Sequence, residues 1–291
     1  MSKAERIPIP TSQKVSKVAK SILKVSFMSL ILFLMYFPLL IIIIMSFNSD
    51  ITETEFLGFT LDWYKELIND EDLFIAIFQY TIPVAIISTL ISTVFGTLAA
   101  IGINSLSKKR RKQMIMLNNV PILNADIVTG IFLFLIFRVV GELLQIDYIL
   151  GFWTLLISHV LFSTPFVVLS VLPKLREIDE NMFDAALDLG CTPRMALIKV
   201  VVPSISSGIF SGALLALTMS IDDFVISYFV VGSGVKNFSI WFYTNRKLAH
   251  TGALPKACAY NSLVIIITLV VLLAYNIIKA QKNKKMKGKT K

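Results

Sequence analysis

The chain has 291 residues, of which 55% are hydrophobic and 16% charged, and its mean hydropathy is +0.74. A soluble domain carries about a quarter charged residues, so composition excludes an ordinary soluble protein. The net charge of +9 would suggest nucleic acid in a soluble chain. In an apolar chain its placement matters more, and no nucleic-acid partner is expected.

Residues 1–24 form a basic segment with Lys3, Arg6, Lys14, Lys17, Lys20 and Lys24, in which Pro8 and Pro10 oppose an early helix. Val25 to Phe47 is apolar and long enough for about 30 Å of hydrocarbon. It lacks the short apolar region and cleavage site of a signal peptide, so it reads as a retained first span. Asn48 to Asp72 is acidic and contains Trp63 in the stretch FTLDWY. The second span is predicted over Phe74 to Ile103, with Gly96, Ala99, Ala100 and Gly102 suited to close helix contact. A basic loop follows at 108–112.

The third span, Met114 to Val140, is interrupted by Asn118, Asn119, Pro121, Asn124, Asp126, Thr129 and Gly130. A broken helix is tolerated in a bilayer where it lines a cavity or is buried in protein. The fourth span is predicted over Ile149 to Leu172, with a kink at Pro165. The fifth runs from Ser204 to Val231 and carries Asp222-Asp223; the sixth runs from Lys256 to Ile278. A Lys-rich tail reads as disordered.

Between spans four and five lies a polar island. Asn181 to Leu189 reads as a short helix, with Asp179 available to cap it. Gly190 sits where the helix ends, because glycine takes a left-handed stop without cost. Thr192-Pro193 starts a second helix, and Pro203 ends or kinks it. Asp184 and Asp188 are a like-charge pair four residues apart, which weakens an isolated helix and suggests a docking role. The alternative is a solvated loop helix.

Six spans put both termini on one side. The termini, the 108–112 loop and the island together hold 22 of the 28 lysines and arginines, so that side is expected to be cytoplasmic. The layout is a basic segment at 1–24, a six-helix domain at 25–278 with a cytoplasmic loop at 173–203, and a basic tail at 279–291.

No catalytic constellation is present. Cys191 and Cys258 are far apart, and no Cys/His cluster suggests a metal. Gly288-Lys289-Thr290 lacks the upstream glycine of a phosphate loop, so no cofactor is expected in this chain. The informative residues are Asp126, Asp222 and Asp223, with Asn124 beside the first. Carboxylates inside spans are costly and usually face water or a bundle interior. Three acids without basic partners favour a cationic substrate. Two alternatives stay open: Asp126 as the cap of a half-helix, and Asp222-Asp223 as a solvated pair at the outer interface. Trp63 is either a stacking surface for an alkyl-ammonium group or an interfacial anchor.

The stretch DAALDLG, Asp184 to Gly190, with Val202-Pro203 after it, resembles the cytoplasmic signature of bacterial ABC-importer permeases, with Asp for the usual Glu and Val for the usual Leu. The wider chain is similar to the spermidine/putrescine (PotC) type, through FTLDWY, DIV at 126–128, LGFWTLLISH at 150–159, PFVV at 165–168 and SIDDFVISYFVVG at 220–232. The resemblance implies an all-α permease of the type I importer (MetI-like) fold with six transmembrane helices and a coupling helix. It implies no enzyme activity in this chain. ATP and magnesium would be bound by two copies of an ABC ATPase (PotA type). A homologous second permease (PotB type) and an extracytoplasmic polyamine-binding protein (PotD type) would complete the system. The resemblance places Trp63 and Asp126 on the substrate path. It makes Asp184 the coupling acid, within a contact made by Ala185, Ala186, Asp188, Gly190 and Pro203. A permease for ferric ion, thiamine or an amino-acid derivative shares the coupling loop and remains an alternative. A non-transporting membrane scaffold is a further one, but it has no use for polar residues inside span three.

Overall fold

A computed structural model describes residues 11–51, 55–179, 181–232, 234–248 and 251–289. Lys3, Arg6, Pro8, Pro10, Glu53, His250 and Thr290 lie outside them. Twelve helices are distinguished here: α1 Thr11–Met45, α2 Asp62–Asn69, α3 Glu71–Ser105, α4 Lys108–Leu123, α5 Asp126–Leu144, α6 Phe152–Glu177, α7 Met182–Asp188, α8 Pro193–Ser204, α9 Ser206–Asp222, α10 Val225–Val230, α11 Phe238–Asn245 and α12 Ala253–Lys289. Among the described residues, extended pairing is limited to one isolated bridge between Asn48 and Phe59.

Five helices, α1, α3, α5, α6 and α12, are long and apolar enough to cross a bilayer, and the bent pair α8–α9 has the length and composition for a sixth if it is counted as one span. That pair turns by 71°. Ile205, two residues after Pro203, leaves helical geometry at φ −94° and ψ 6°. The preceding turn, Leu197–Val201, is widened into a π-turn, with the Val202 N–H donating to the Leu197 carbonyl. Widening moves carbonyls away from the ring of a following proline. A π-turn at Ile75–Thr81 likewise precedes Pro83, and there the helix continues.

The third predicted span takes a different form. The basic 108–112 stretch is the first part of α4 and not a loop. The span-length helix is α5, which begins at Asp126. Five basic side chains in α4's opening turns exclude that end from hydrocarbon, and Asn124, extended at ψ 147°, breaks the chain before α5. The Lys-rich tail also departs from expectation, because α12 continues as helix to Lys289. Lysine is a good helix former, and a long apolar helix already nucleated costs little to extend.

The chain divides into two compact units, one of residues 1–67 with 248–291 and the other of 68–247. In the first, α1 packs on α12. Tyr64 Oη shares hydrogen bonds with Ser46 Oγ at 2.7 Å and Ser262 Oγ at 2.8 Å. Asn48 is fully buried; its Nδ2 donates to the Glu55 carbonyl and its Oδ1 accepts from the Leu57 N–H.

In the second unit α3, α6 and α9 form the centre. Ala100, Val167, Val171, Ile205 and Ala216 are buried in one cluster, and Val84, Leu133, Leu155, Ile226 and Val230 in another. A Cβ at Gly96 would lie 2.6 Å from Val167 Cβ, and one at Gly212 would lie 3.1 Å from Val167 Cα. Both glycines therefore let backbones approach where lipid gives little drive for association. Ala100 shares this role. Ala99 and Gly102 do not: both are exposed, and Gly102 has open space around it.

Candidate functional site

The predicted span five breaks at its acids. α9 ends at Asp222, Asp223 is extended at ψ 126°, and α10 starts at Val225. α10 packs against α5. Gly130 permits this contact, since a Cβ there would come 2.8 Å from Phe229 Cδ2. Gly130 lies one turn after Asp126. Two helix breaks are thereby brought to one place, and Asp126, Asp222 and Asp223 line a single cavity of about 330 Å³ with Phe162, Phe166 and Phe224.

The three acids differ in their partners. Asp223 is held firmly: its carboxylate accepts from the Ile226 N–H at 3.3 Å, the Ser227 N–H at 2.7 Å and Ser227 Oγ at 2.7 Å. It acts as the N-terminal cap of α10. Asp126 and Asp222 have no hydrogen-bond or ion-pair partner among the described residues, and both are exposed in this chain. Asp126 stands at the first position of α5 but makes no side-chain cap bond, so the capping alternative is not what is built. Its charge still suits the positive end of the α5 dipole. Asn124 reaches the cavity's edge through Thr129, with Nδ2 3.5 Å from Thr129 Oγ1.

Behind Asp223 lies a buried polar network that sequence reading missed. His159 Nδ1 is 2.6 Å from Ser220 Oγ, and Nε2 is 3.1 Å from Ser227 Oγ and 3.6 Å from Asp223 Oδ2. Ser220 Oγ also meets Ser88 Oγ at 3.1 Å. Asn237 Nδ2 donates to Ser227 Oγ at 2.9 Å, and its Oδ1 caps α11 by accepting from the Ile240 N–H. Proton ownership follows from counting donors. Ser227 gives its one hydroxyl proton to Asp223, so its lone pairs receive His159 Nε2–H and Asn237. The tautomer assigned this way leaves Nδ1 to accept from Ser220. The network pins α3, α6, α9, α10 and α11 around the break. Its sequence signal was weak, because a lone histidine and three serines on separate helices carry no spacing rule.

His159→Ala is expected to strand Ser220 and Ser227 in the interior at about 1–3 kcal/mol. The readout is a lower thermal midpoint of the purified protein. Trp153→Ala, at a ring 71% exposed, should leave the midpoint in place. Equal midpoints for the two variants would refute the network's role.

In the first unit, Trp63 is half-buried, and its indole N–H donates to the Asn48 carbonyl at 2.6 Å. The ring edge lies against Gly252, a glycine with φ +56° where a Cβ would sit 3.1 Å from Cζ3.

The island forms much as predicted. α7 ends in paired bonds, with Gly190 N–H to the Leu187 carbonyl at 2.8 Å and Cys191 N–H to the Ala186 carbonyl at 3.1 Å. This is a Schellman stop, and Gly190 takes its left-handed position at φ +87°. Thr192 Oγ1 caps α8 by accepting from the Met195 N–H. Asp179 does not cap α7 directly; its carboxylate accepts from the Asn181 N–H and Nδ2. Ala186 is buried, whereas Asp184, Ala185, Asp188 and Leu189 are exposed. Pro203 lies at the α8–α9 bend.

A profile of the family described as binding-protein-dependent transport system inner membrane component matches residues 92–288. The chain belongs to this family. Over 270 residues it is 32% identical to the spermidine/putrescine transport system permease protein PotC of Escherichia coli K12, covering 93% of this chain and 98% of the relative. It is 29% identical to PotC of Haemophilus influenzae, covering 91% and 100%. It is 30% identical to the putrescine transport system permease protein PotI of Escherichia coli K12, covering 79% and 81%. Its fold is similar to that of a chain in a bacterial ABC transporter involved in the import of the acidic polysaccharide alginate, with TM-score 0.67, 15% identity and coverage of 92% and 99%. This inner membrane component is therefore a multi-pass transporter subunit of the importer-permease fold. That likeness shows the fold alone, so cargo must be argued from side chains.

Proposed function

We propose that this chain is half of the translocation pathway of an ATP-driven polyamine importer. The observation that carries the reading is the pair Asp126 and Asp222, two unpartnered carboxylates on one cavity at two helix breaks. A polyamine presents several ammonium groups joined by methylenes. Carboxylates compensate the charge as the cargo loses water, and Phe162, Phe166 and Phe224 offer apolar and cation–π contact for the rest. Asp223 serves as the fixed corner of this site, with Asn124 at its margin. Trp63 contributes a ring on the substrate path.

The partners of this reading are a homologous permease of PotB type, two ATPase subunits of PotA type that bind ATP and magnesium, and a polyamine-binding protein of PotD type. The excess of basic residues on one side supports a cytoplasmic location for both termini and the island. There the exposed Asp184, Ala185, Asp188 and Leu189, held by the Gly190 stop and the packed Ala186, form the contact that the ATPase moves, and Pro203 is the joint to α9.

Reconstituted with those partners in vesicles, the transporter is expected to accumulate labelled spermidine or putrescine with ATP. Its ATPase should rise with the polyamine-loaded binding protein and not with thiamine or ferric ion. Stimulation by one of the latter alone would replace polyamine as the cargo.

A further inference from the structure

The basic end of the second unit holds two cavities that share Arg111 and Arg176. One, of about 320 Å³, opens between α4, α6 and the island, with Asn104 and Asp179 on its wall. The other, of about 450 Å³, is lined by Lys108, Arg111, Lys112, Ile115, Met116 and Arg176. None of the four cations is in an ion pair among the described residues. Asp179, the acid present, is already engaged with Asn181.

Arg111 is the informative member. Its guanidinium donates to the carbonyls of Asn104 and Leu106, which fixes it across the α3–α4 turn. Its Nε is buried and lacks a partner. A buried guanidinium nitrogen without an acceptor is costly, and an anion in the adjoining cavity would relieve that cost. Four positive groups against one engaged acid set the sign of the occupant. Its shape follows from the wall: Ile115 and Met116 lie one to two turns along α4 from the cations, so the site is polar at one end and apolar at the other.

We propose that this pocket binds an anionic phospholipid, with its phosphate among Lys108, Arg111, Lys112 and Arg176 and its acyl chains along Ile115 and Met116. A free phosphate shares the headgroup chemistry but makes no use of the apolar wall. Bound there, the lipid would tie α4 to α6 and to the base of the island.

The test uses the assembled transporter in detergent, offered phosphatidylglycerol, with bound lipid counted by native mass spectrometry. Phosphatidylcholine and inorganic phosphate are the comparison probes. Phosphatidylglycerol is expected to bind in preference to phosphatidylcholine and to resist displacement by inorganic phosphate. Lys112→Gln with Arg176→Gln, at two exposed positions, should weaken it about fivefold per charge removed. Arg111→Gln, scored only where the complex assembles, should weaken it as well. Unchanged affinity in the double variant, equal retention of phosphatidylcholine, or displacement by inorganic phosphate would overturn the proposal.

Discussion

Asp126→Asn is expected to slow spermidine uptake about tenfold, and Asp126→Asn with Asp222→Asn about a hundredfold. Each carboxylate loses a charge-assisted contact with an ammonium group, a loss of about 1.5–3 kcal/mol where water is excluded. The substitution removes almost no volume, and neither side chain has a partner to strand, so assembly should survive. Asp223→Asn separates the two kinds of acid. Its carboxylate accepts three hydrogen bonds that hold α10, so its loss should appear first as reduced thermal stability. Initial uptake rates against spermidine concentration, normalised to assembled complex, decide the matter. Normal kinetics in the Asp126 variant would take that residue off the pathway.

Gly190→Pro is the second large effect. Gly190 sits at φ +87° and donates its N–H to Leu187. Proline holds φ near −65° and has no N–H, so it fails on both counts at about 3 kcal/mol or more. The Schellman stop would open, and Asp184, Ala185 and Asp188 would lose their fixed aim. Uptake is expected to fall at least about tenfold while ATP hydrolysis continues, since the nucleotide chemistry lies in another subunit. Gly190→Asn provides the contrast. Asparagine tolerates left-handed geometry, and a Cβ here meets open space, so this variant should transport nearly normally. A Gly190→Pro variant that couples uptake to hydrolysis as usual would deny the corner any mechanical part.

The fold was legible where apolar length and turn chemistry carry it. Long hydrophobic runs give spans because every backbone polar group must be satisfied inside the lipid. The Gly190 stop and the Thr192 cap follow from local backbone needs. Less was legible wherever a neighbour decides. Gly96 and Ala100 meet α6, while Gly102, equally small and two residues on, meets nothing. The break in span three was visible in its polar residues. That α4 starts at Lys108 was not, because a basic run reads alike as a loop or as the wet end of a helix.

By itself the sequence determined the class of the protein, the spans whose apolar runs are unbroken, the side on which its positive charge gathers and the corner that an ATPase subunit is proposed to grip. All of these depend on composition or on residues within a few positions of each other. Only the tertiary structure sorted the acids. Gly130 admits α10 against α5 and so brings Asp126 to the break at 222–225. His159, Ser220 and Ser227 converge from three helices and bind Asp223 into the frame, leaving Asp126 and Asp222 facing the cavity. The physical reason is that a carboxylate's role depends on what surrounds it. Asp223's own donors, Ile226 and Ser227, are local, but the groups that fix Ser227, His159 and Asn237, and the helix that brings Asp126 to the same cavity come from distant positions.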